Sequence, residues 1–264
     1  MSEKMIIYHI PGCPFSERVE ILAELKRLHD VFDDMEIDIS RPRPDWLLKK
    51  TRGTTSLPAM TIDNGETLKE SMVIMQYLED RFPDPPVSQS DSYRRAIEGM
   101  LCATDMQYSG AGYRMILNRD PETREQCRSE VDAQYERLDD FLNYYSPDKD
   151  FLFNDYGWAE VTFTPLFKRL WFLEYYEAYK IPDRLKRVQR WREACLAHPA
   201  AQRRTYEEII KLYYDYSQGA GNGRIPQGRL ISSFTLEPHW SVRPMPPADK
   251  WDHAATDEEL GLVL

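Results

Sequence analysis

The residue in this 264-residue chain best placed to do chemistry is Cys13. It lies between an apolar run that predicts a strand and a periodic pattern that predicts a helix, with Pro14 suited to the first helical position. The first turn of a helix offers unpaired backbone N–H groups and a partial positive charge, which both stabilise a thiolate. The sequence therefore predicts a nucleophilic thiol, and an inert, space-filling cysteine is the alternative.

The motif holds a single thiol. Ser16 occupies the position at which a redox dithiol carries its second cysteine, so an outside thiol must resolve any mixed disulfide formed at Cys13. Glutathione is the abundant cytosolic candidate. Cys102, Cys127 and Cys195 fall in helical patterns and are predicted to be structural. Four scattered cysteines and an N-terminus without an apolar signal core predict a reducing, cytoplasmic setting.

Composition narrows the classes of function. A net charge of −10 argues against nucleic acid or an anionic membrane as partner, because both need a basic face. No apolar run is long enough to span a bilayer. The five histidines are far apart without paired ligand spacing, so no metal site is predicted. With 42% hydrophobic residues, the chain can build one or two sizeable cores.

The first part of the chain alternates between strand and helix patterns. A βαβ unit with a second strand through Met35, Ile37 and Ile39 precedes a short helix, a hairpin turning at Asn64-Gly65, and a helix capped by Ser71. This order predicts a small mixed sheet covered by helices, as in thioredoxin-like domains. In that context we favour a cis bond at Leu57-Pro58, although a trans proline is commoner in general.

The remainder predicts an all-α domain and an extended irregular tail. We expect a thioredoxin-like domain at 1–83, a linker at 84–91, a helical domain at 92–216 and a tail at 217–264 that packs back and covers the cleft. Gly110 and Gly112 interrupt a helical pattern, which predicts either a kink in a pocket wall or close helix packing. Glu160 is predicted to cap a helix.

These motifs resemble the cytosolic glutathione transferases, and within them the omega-like members that use cysteine. The resemblance covers about the first 216 residues and rests on Cys13-Pro14-Phe15-Ser16, Arg43-Pro44-Asp45-Trp46, Leu57-Pro58 and Glu70-Ser71. It implies that glutathione is the co-substrate and that the chain forms a homodimer. It also implies the glutathione-binding residues, which are Phe15, Arg43, Leu57, Pro58, Glu70 and Ser71. Two departures are Arg43, where lysine is usual, and one extra residue before Leu57.

Within that family the chain is most similar to the bacterial glutathione lyases of lignin β-aryl ether breakdown, in its motifs and its long tail. The resemblance implies that the Cys13 thiolate removes glutathione from an α-glutathionyl aromatic ketone. Phenol groups can stabilise the resulting enolate. The candidate aromatic-pocket residues are Tyr113, Tyr213, Tyr214 and Tyr216, of which helical geometry lets one or two of the last three face a cleft.

Three alternatives remain open at this point. The first is another omega-type activity, namely reduction of dehydroascorbate, small disulfides or glutathionyl-hydroquinones through the same Cys13. The second is conjugation of glutathione to an electrophile, which does not need the thiol of Cys13. The third is a noncatalytic binding protein with the same fold.

Overall fold

The computed structural model describes residues 4–263, and its first part is a four-stranded sheet with flanking helices. The elements are β1 (Met5–His9), α1 (Pro14–Leu25), β2 (Phe32–Glu36), α2 (Asp45–Lys50), β3 (Ala59–Thr61), β4 (Thr67–Lys69) and α3 (Ser71–Arg81). The sheet order is β2-β1-β3-β4, with β1 parallel to β2 and the other pairs antiparallel. The predicted thioredoxin-like α/β part is confirmed.

Two local predictions were wrong in position. The second strand runs from Phe32 to Glu36, earlier than the alternation of Met35, Ile37 and Ile39 indicated, because its register on β1 ends where His9 meets Glu36. Glu70 rather than Ser71 is the N-cap of α3, and it has a left-handed backbone with φ of 67°. Ser71 is the first helical residue, so its hydroxyl does not form the predicted N-cap.

The second part is helical, as predicted. Its elements are α4 (Ser92–Cys102), α5 (Asp105–Leu117), α6 (Arg124–Tyr145), α7 (Trp158–Arg169), α8 (Trp171–Glu177), α9 (Lys186–Ala197), α10 (Tyr206–Leu212) and α11 (Tyr214–Ser217). Glu160 caps the start of α7, as predicted, and accepts the Gly157 N–H at 2.9 Å and the Trp191 indole N–H at 2.8 Å. None of the helices in residues 4–263 combines the length and apolarity of a membrane span.

The two glycines of α5 do not interrupt it. The helix is continuous from Asp105 to Leu117. A Cβ at Gly112 would lie 2.9 Å from a methyl carbon of Leu170, so this glycine lets α5 approach the start of α8. Close helix packing is therefore the correct one of the two predicted explanations for Gly112.

The tail beyond α11 is irregular except for a short 3-10 turn, Trp240–Val242, yet it is anchored on the helices. The buried Lys250 donates to the carbonyls of Met115, Ile116 and Asn118, at 2.8 to 3.0 Å, and so satisfies the C-terminal end of α5. Its ammonium also pairs with Glu177 at 2.6 Å. These contacts hold the tail against α5 and α8.

Candidate active site

The chain places Cys13 at the start of α1 through a tight turn. Gly12 has φ of 74°, a conformation that glycine adopts without strain. Cys13 is the N-cap of α1 and Pro14 follows at the first helical position. The Cys13 side chain is half-buried, and its Sγ lies 3.9 Å from the carbonyl oxygen of Leu57. The thiol therefore lies at the helix N-terminus, beside the segment before β3.

The other cysteines differ from Cys13 in their surroundings. Cys102 and Cys195 are buried, and Cys127 is half-buried on α6. Burial raises the pKa of Cys102 to about 12 and raises that of Cys195 well above its ordinary value. Ser16 is buried as well. Within residues 4–263, the only cysteine that lines the main cleft is Cys13.

A cleft of about 660 Å³ opens above Cys13. One wall comes from the sheet domain and carries Cys13, Phe15, Ile39, Arg43 and Leu57. The facing wall comes from α5, from residues around α11 and from the tail, and carries Tyr113, Tyr213, Tyr216, Asn222 and Phe234. The thiol therefore belongs to the wall that carries Arg43, and an aromatic wall faces it.

Pairing in the sheet brings the remaining predicted glutathione residues together. The Leu57-Pro58 bond is cis, as the sequence context favoured. The β3–β4 register sets Ala59 opposite Lys69, so the next residues in each direction, Pro58 and Glu70, are also neighbours. Glu70 is exposed and Ser71 is buried at the N-terminus of α3. Neither Pro58, Glu70 nor Ser71 lines the cleft itself.

Arg43 and Phe15 line the same cleft as the thiol. The Arg43 guanidinium donates long bonds of 3.3 to 3.4 Å to the backbone carbonyls of Asp38, Arg41 and Thr55. Burial lowers the pKa of Arg43, with the nearby Asp38 acting in the opposite direction. No carboxylate in residues 4–263 forms a salt bridge with it. Its charge is therefore free to pair with an anionic ligand.

Three of the predicted tyrosines share the aromatic wall. The Tyr213 hydroxyl donates to the Gly12 carbonyl at 3.1 Å and lies 3.0 Å from the Tyr113 hydroxyl. Because Tyr213 has one proton to give, Tyr113 is the donor within the pair. Tyr216 donates to Asn222 Oδ1 at 3.1 Å. Burial raises the pKa of Tyr113 well above its ordinary value, and Tyr213 and Tyr216 add to this effect, so the Tyr113 phenol stays protonated.

Tyr214 does not belong to this wall. Its side chain is 1% exposed, and its hydroxyl accepts the Ala255 N–H at 2.6 Å. The Arg229 guanidinium covers its ring at 5.6 Å. Since successive helical residues point about 100° apart, Tyr214 faces the tail while Tyr213 and Tyr216 face the cleft.

The tail supplies cleft residues that the sequence did not single out. Asn222 and Phe234 both line the cleft. A Cβ at Gly223 would lie 2.2 Å from the Ile39 carbonyl oxygen, so the tail runs directly against the loop after β2. The glycine-rich segment before Pro226 was a signal of this close approach.

Comparison with known proteins finds similarity to glutathione transferases. Residues 7–86 match the family described as glutathione S-transferase, N-terminal domain. Over 221 residues the chain is 23% identical to glutathione S-transferase omega-1 of Mus musculus, an alignment that covers 81% of this chain and 88% of the mouse protein.

Solved structures agree in fold. Glutathione transferase Omega 3C of Trametes versicolor has a TM-score of 0.66 at 18% identity, covering 82% of this chain and 91% of that one. Dehydroascorbate reductase of Chlamydomonas reinhardtii has a TM-score of 0.63 at 20% identity, covering 82% of this chain and 100% of that one. Residues 7–86 thus match a glutathione S-transferase N-terminal domain, and the chain has the fold of the glutathione transferases over about four fifths of its length.

Proposed function

We propose that this enzyme removes glutathione from an α-glutathionyl aromatic ketone formed in lignin β-aryl ether breakdown. One arrangement carries the proposal, namely a single thiol at a helix start that faces an aromatic wall with phenol groups. A conjugating transferase uses a hydroxyl group to activate glutathione as the nucleophile, whereas a cysteine is itself the nucleophile. Cys13 therefore favours deglutathionylation over conjugation.

Glutathione binds along the polar side of the site in this proposal. Arg43 pairs with the glycyl carboxylate, and the backbone of Leu57 beside Pro58 pairs with the cysteinyl backbone. The γ-glutamyl carboxylate meets Ser71 and the N–H groups that begin α3, while the exposed Glu70 carboxylate accepts from the γ-glutamyl ammonium. Phe15 contributes apolar contact next to the thiol.

The reaction then proceeds in two sulfur exchanges. The Cys13 thiolate attacks the thioether sulfur, an S–S bond forms, and the carbon–sulfur bond breaks with its electron pair moving to the ketone as an enolate. The enolate carbon takes up a proton and the ketone leaves. A second glutathione thiolate attacks the mixed disulfide and releases oxidised glutathione and the Cys13 thiolate. The thioether carbon is reduced and two glutathione sulfurs are oxidised, so no other reductant is needed.

Tyr113 is the phenol that meets the enolate oxygen. In the free enzyme the Tyr113 hydroxyl donates a hydrogen bond to the Tyr213 oxygen. Rotating that O–H toward the substrate breaks only this one hydrogen bond. Freeing Tyr213 instead would leave the Gly12 carbonyl without its donor. Stabilising a developing oxyanion with a fixed donor is worth about 10²–10³ in rate in other enzymes.

A second candidate is reduction of dehydroascorbate, small disulfides or glutathionyl-hydroquinones. The likeness to the dehydroascorbate reductase fold favours it, because the same thiol serves both reactions. The aromatic wall opposite Cys13 favours an aromatic acceptor. The homodimer, the cytoplasmic setting and the division at residues 83, 91 and 216 stay predictions, and size-exclusion chromatography with light scattering tests the first.

The test is turnover of a glutathionyl aromatic β-hydroxyketone with added glutathione. Wild type and the control variant Cys127→Ser are expected to release ketone and oxidised glutathione one to one, and Cys13→Ser is expected to release neither. Activity retained in Cys13→Ser would instead indicate conjugation chemistry. Wild-type turnover no faster than glutathione alone would contradict the proposal, and assays with disulfide and hydroquinone acceptors would then separate an omega-type reductase from a noncatalytic binding protein.

A further inference from the structure

A buried charge cluster lies beneath Cys13. Glu17, in the first turn of α1, accepts from the Lys168 ammonium at 2.6 Å through Oε1 and from Arg169 Nη2 at 2.9 Å through Oε2. The side chains of all three residues are 1% to 2% exposed. The cluster thus pairs one carboxylate with two cations, which leaves an excess positive charge at the junction of α1 and α7.

Lys168 alone already neutralises Glu17. Arg169 adds a second cation whose Nε and Nη1 are buried and have no hydrogen-bond partner within residues 4–263. An unsatisfied buried donor costs free energy, and more so on a charged group. The neutralisation of Glu17 therefore does not account for Arg169, which indicates a role other than pairing.

Arg169 instead lies over the ring of Tyr213. Its guanidinium carbon is 5.8 Å from the centroid of the Tyr213 ring. Tyr213 in turn donates its hydroxyl proton to the carbonyl of Gly12, the residue before Cys13. Arg169 is thus linked to the Cys13 turn on two sides, through Glu17 on α1 and through Tyr213 on the facing wall.

The surroundings keep Arg169 charged. Burial acts against its positive charge, but Glu17, Tyr213, Tyr113 and Cys13 act the other way and raise the pKa of the guanidinium above its ordinary value. The charged and titratable groups around the cluster are Glu17 of α1, Tyr113 of α5, Lys168 of α7, Arg204 before α10, and Tyr213 after it, and Arg43 lines the same cleft as Cys13.

We propose that Arg169 is a positioning residue for Cys13, a fixed buried cation that favours the thiolate and holds Tyr213 on the Gly12 carbonyl. A cation fixed in a buried place acts on a nearby anion more strongly than an exposed one, because solvent and salt screen it less. The proposal rests on Cys13 as the reacting group in the proposed function. It assigns to Arg169 no contact with substrate.

The test is the rate at which iodoacetamide alkylates Cys13 in the full chain, measured across pH and followed by peptide-resolved mass spectrometry. Arg169→Met is expected to slow alkylation at neutral pH about tenfold and to move the pH dependence to higher pH. Arg169→Lys is expected to recover the alkylation rate and pH dependence in part. Lys168→Met removes the other cation from the same carboxylate but leaves the contact between Arg169 and Tyr213. It is therefore expected to slow alkylation and shift its pH dependence less than Arg169→Met does.

Two results would overturn the proposal. One is wild-type alkylation of Cys13 in a folded Arg169→Met protein. The other is an equal slowing in Lys168→Met, which would assign the effect to the whole cluster. If Arg169→Met does not fold, Arg169→Gln replaces it with the same expectation. Iodoacetamide needs no acceptor pocket. A failed thioether assay would therefore contradict the proposed substrate without affecting the alkylation result.

Discussion

Among the single residues of the site, the hydrogen-bond donors decide which group can serve the reaction. Cys13 and Arg43 could be predicted from sequence, because a local turn or a local motif places each of them. Tyr213 and Tyr216 could be predicted only as members of a tyrosine-rich segment, and the structure then separated them from Tyr214. Arg169 could not be predicted, since its position depends on contacts with α1 across more than 150 residues of chain.

Replacing the two hydrogen-bonded tyrosines separates their roles. Tyr113→Phe is expected to lower kcat for the thioether ketone about 10²-fold, because it removes the enolate donor. It is expected to leave alkylation of Cys13 by iodoacetamide unchanged, because the hydrogen bond from Tyr213 to Gly12 stays in place. Tyr213→Phe is expected to slow alkylation too, since the Gly12 carbonyl loses its partner. Steady-state kinetics and alkylation rates measure both effects. A Tyr113→Phe enzyme with wild-type kcat would remove Tyr113 from the mechanism.

The helices and strands show how far periodicity alone can predict local structure. The βαβ unit, the hairpin and the helix after it were predicted, because their patterns and turn residues are local. The shift of β2 was missed, since its end depends on where β1 stops pairing. The continuity of α5 was also left open, because the sequence alone does not distinguish a glycine that bends a helix from one that allows another helix to pack closely.

Replacing each of two helical glycines with alanine tests whether a glycine is needed for close helix packing. Gly99 of α4 has open space where a Cβ would stand, so Gly99→Ala is expected to raise the free energy of unfolding by about 0.5–1 kcal/mol. Gly112→Ala would press on Leu170 and is expected to lower it by about 1–3 kcal/mol. Urea unfolding measures both variants. Stabilisation by Gly112→Ala would contradict the close-packing account.

For the whole molecule, burial of charge is the property that sequence reasoning predicts least. The composition fixes the net charge of −10 but not which carboxyls become buried. Glu98 of α4 is buried, and burial, with Glu160 and Glu79 acting in the same direction, raises its pKa to about 7. Its oxygen accepts the Gln89 N–H at 3.0 Å, which acts in the opposite direction.

Because of the Glu98 carboxyl, we expect the stability of the protein to depend on pH. The folded protein holds the Glu98 proton more tightly than the unfolded chain, so stability falls as pH rises from about 4.5 to about 7. The loss attributable to this group is about 3 kcal/mol. Glu98→Gln, which keeps the shape and the acceptor oxygen, is expected to flatten that slope in urea unfolding measured at several pH values. Parallel slopes for both proteins would show that Glu98 does not titrate in this range.

The tail is the other feature of the whole molecule that sequence reasoning captured in part. Its interleaved aromatic residues predicted that it packs back onto the helices. Its anchoring through Lys250 and its contribution of Asn222 to the cleft could not be predicted, because they depend on contacts with residues of α5, α8 and α11 that are distant in sequence.

A single turnover without free glutathione tests the central claim most directly. The enzyme is mixed with an equal amount of the glutathionyl aromatic β-hydroxyketone, and the protein and the released ketone are analysed together by mass spectrometry. The account predicts one ketone released per enzyme and one glutathione held on Cys13 as a disulfide, which added glutathione then discharges as oxidised glutathione. Release of ketone with Cys13 left unmodified, or glutathione bound to another residue, would contradict it.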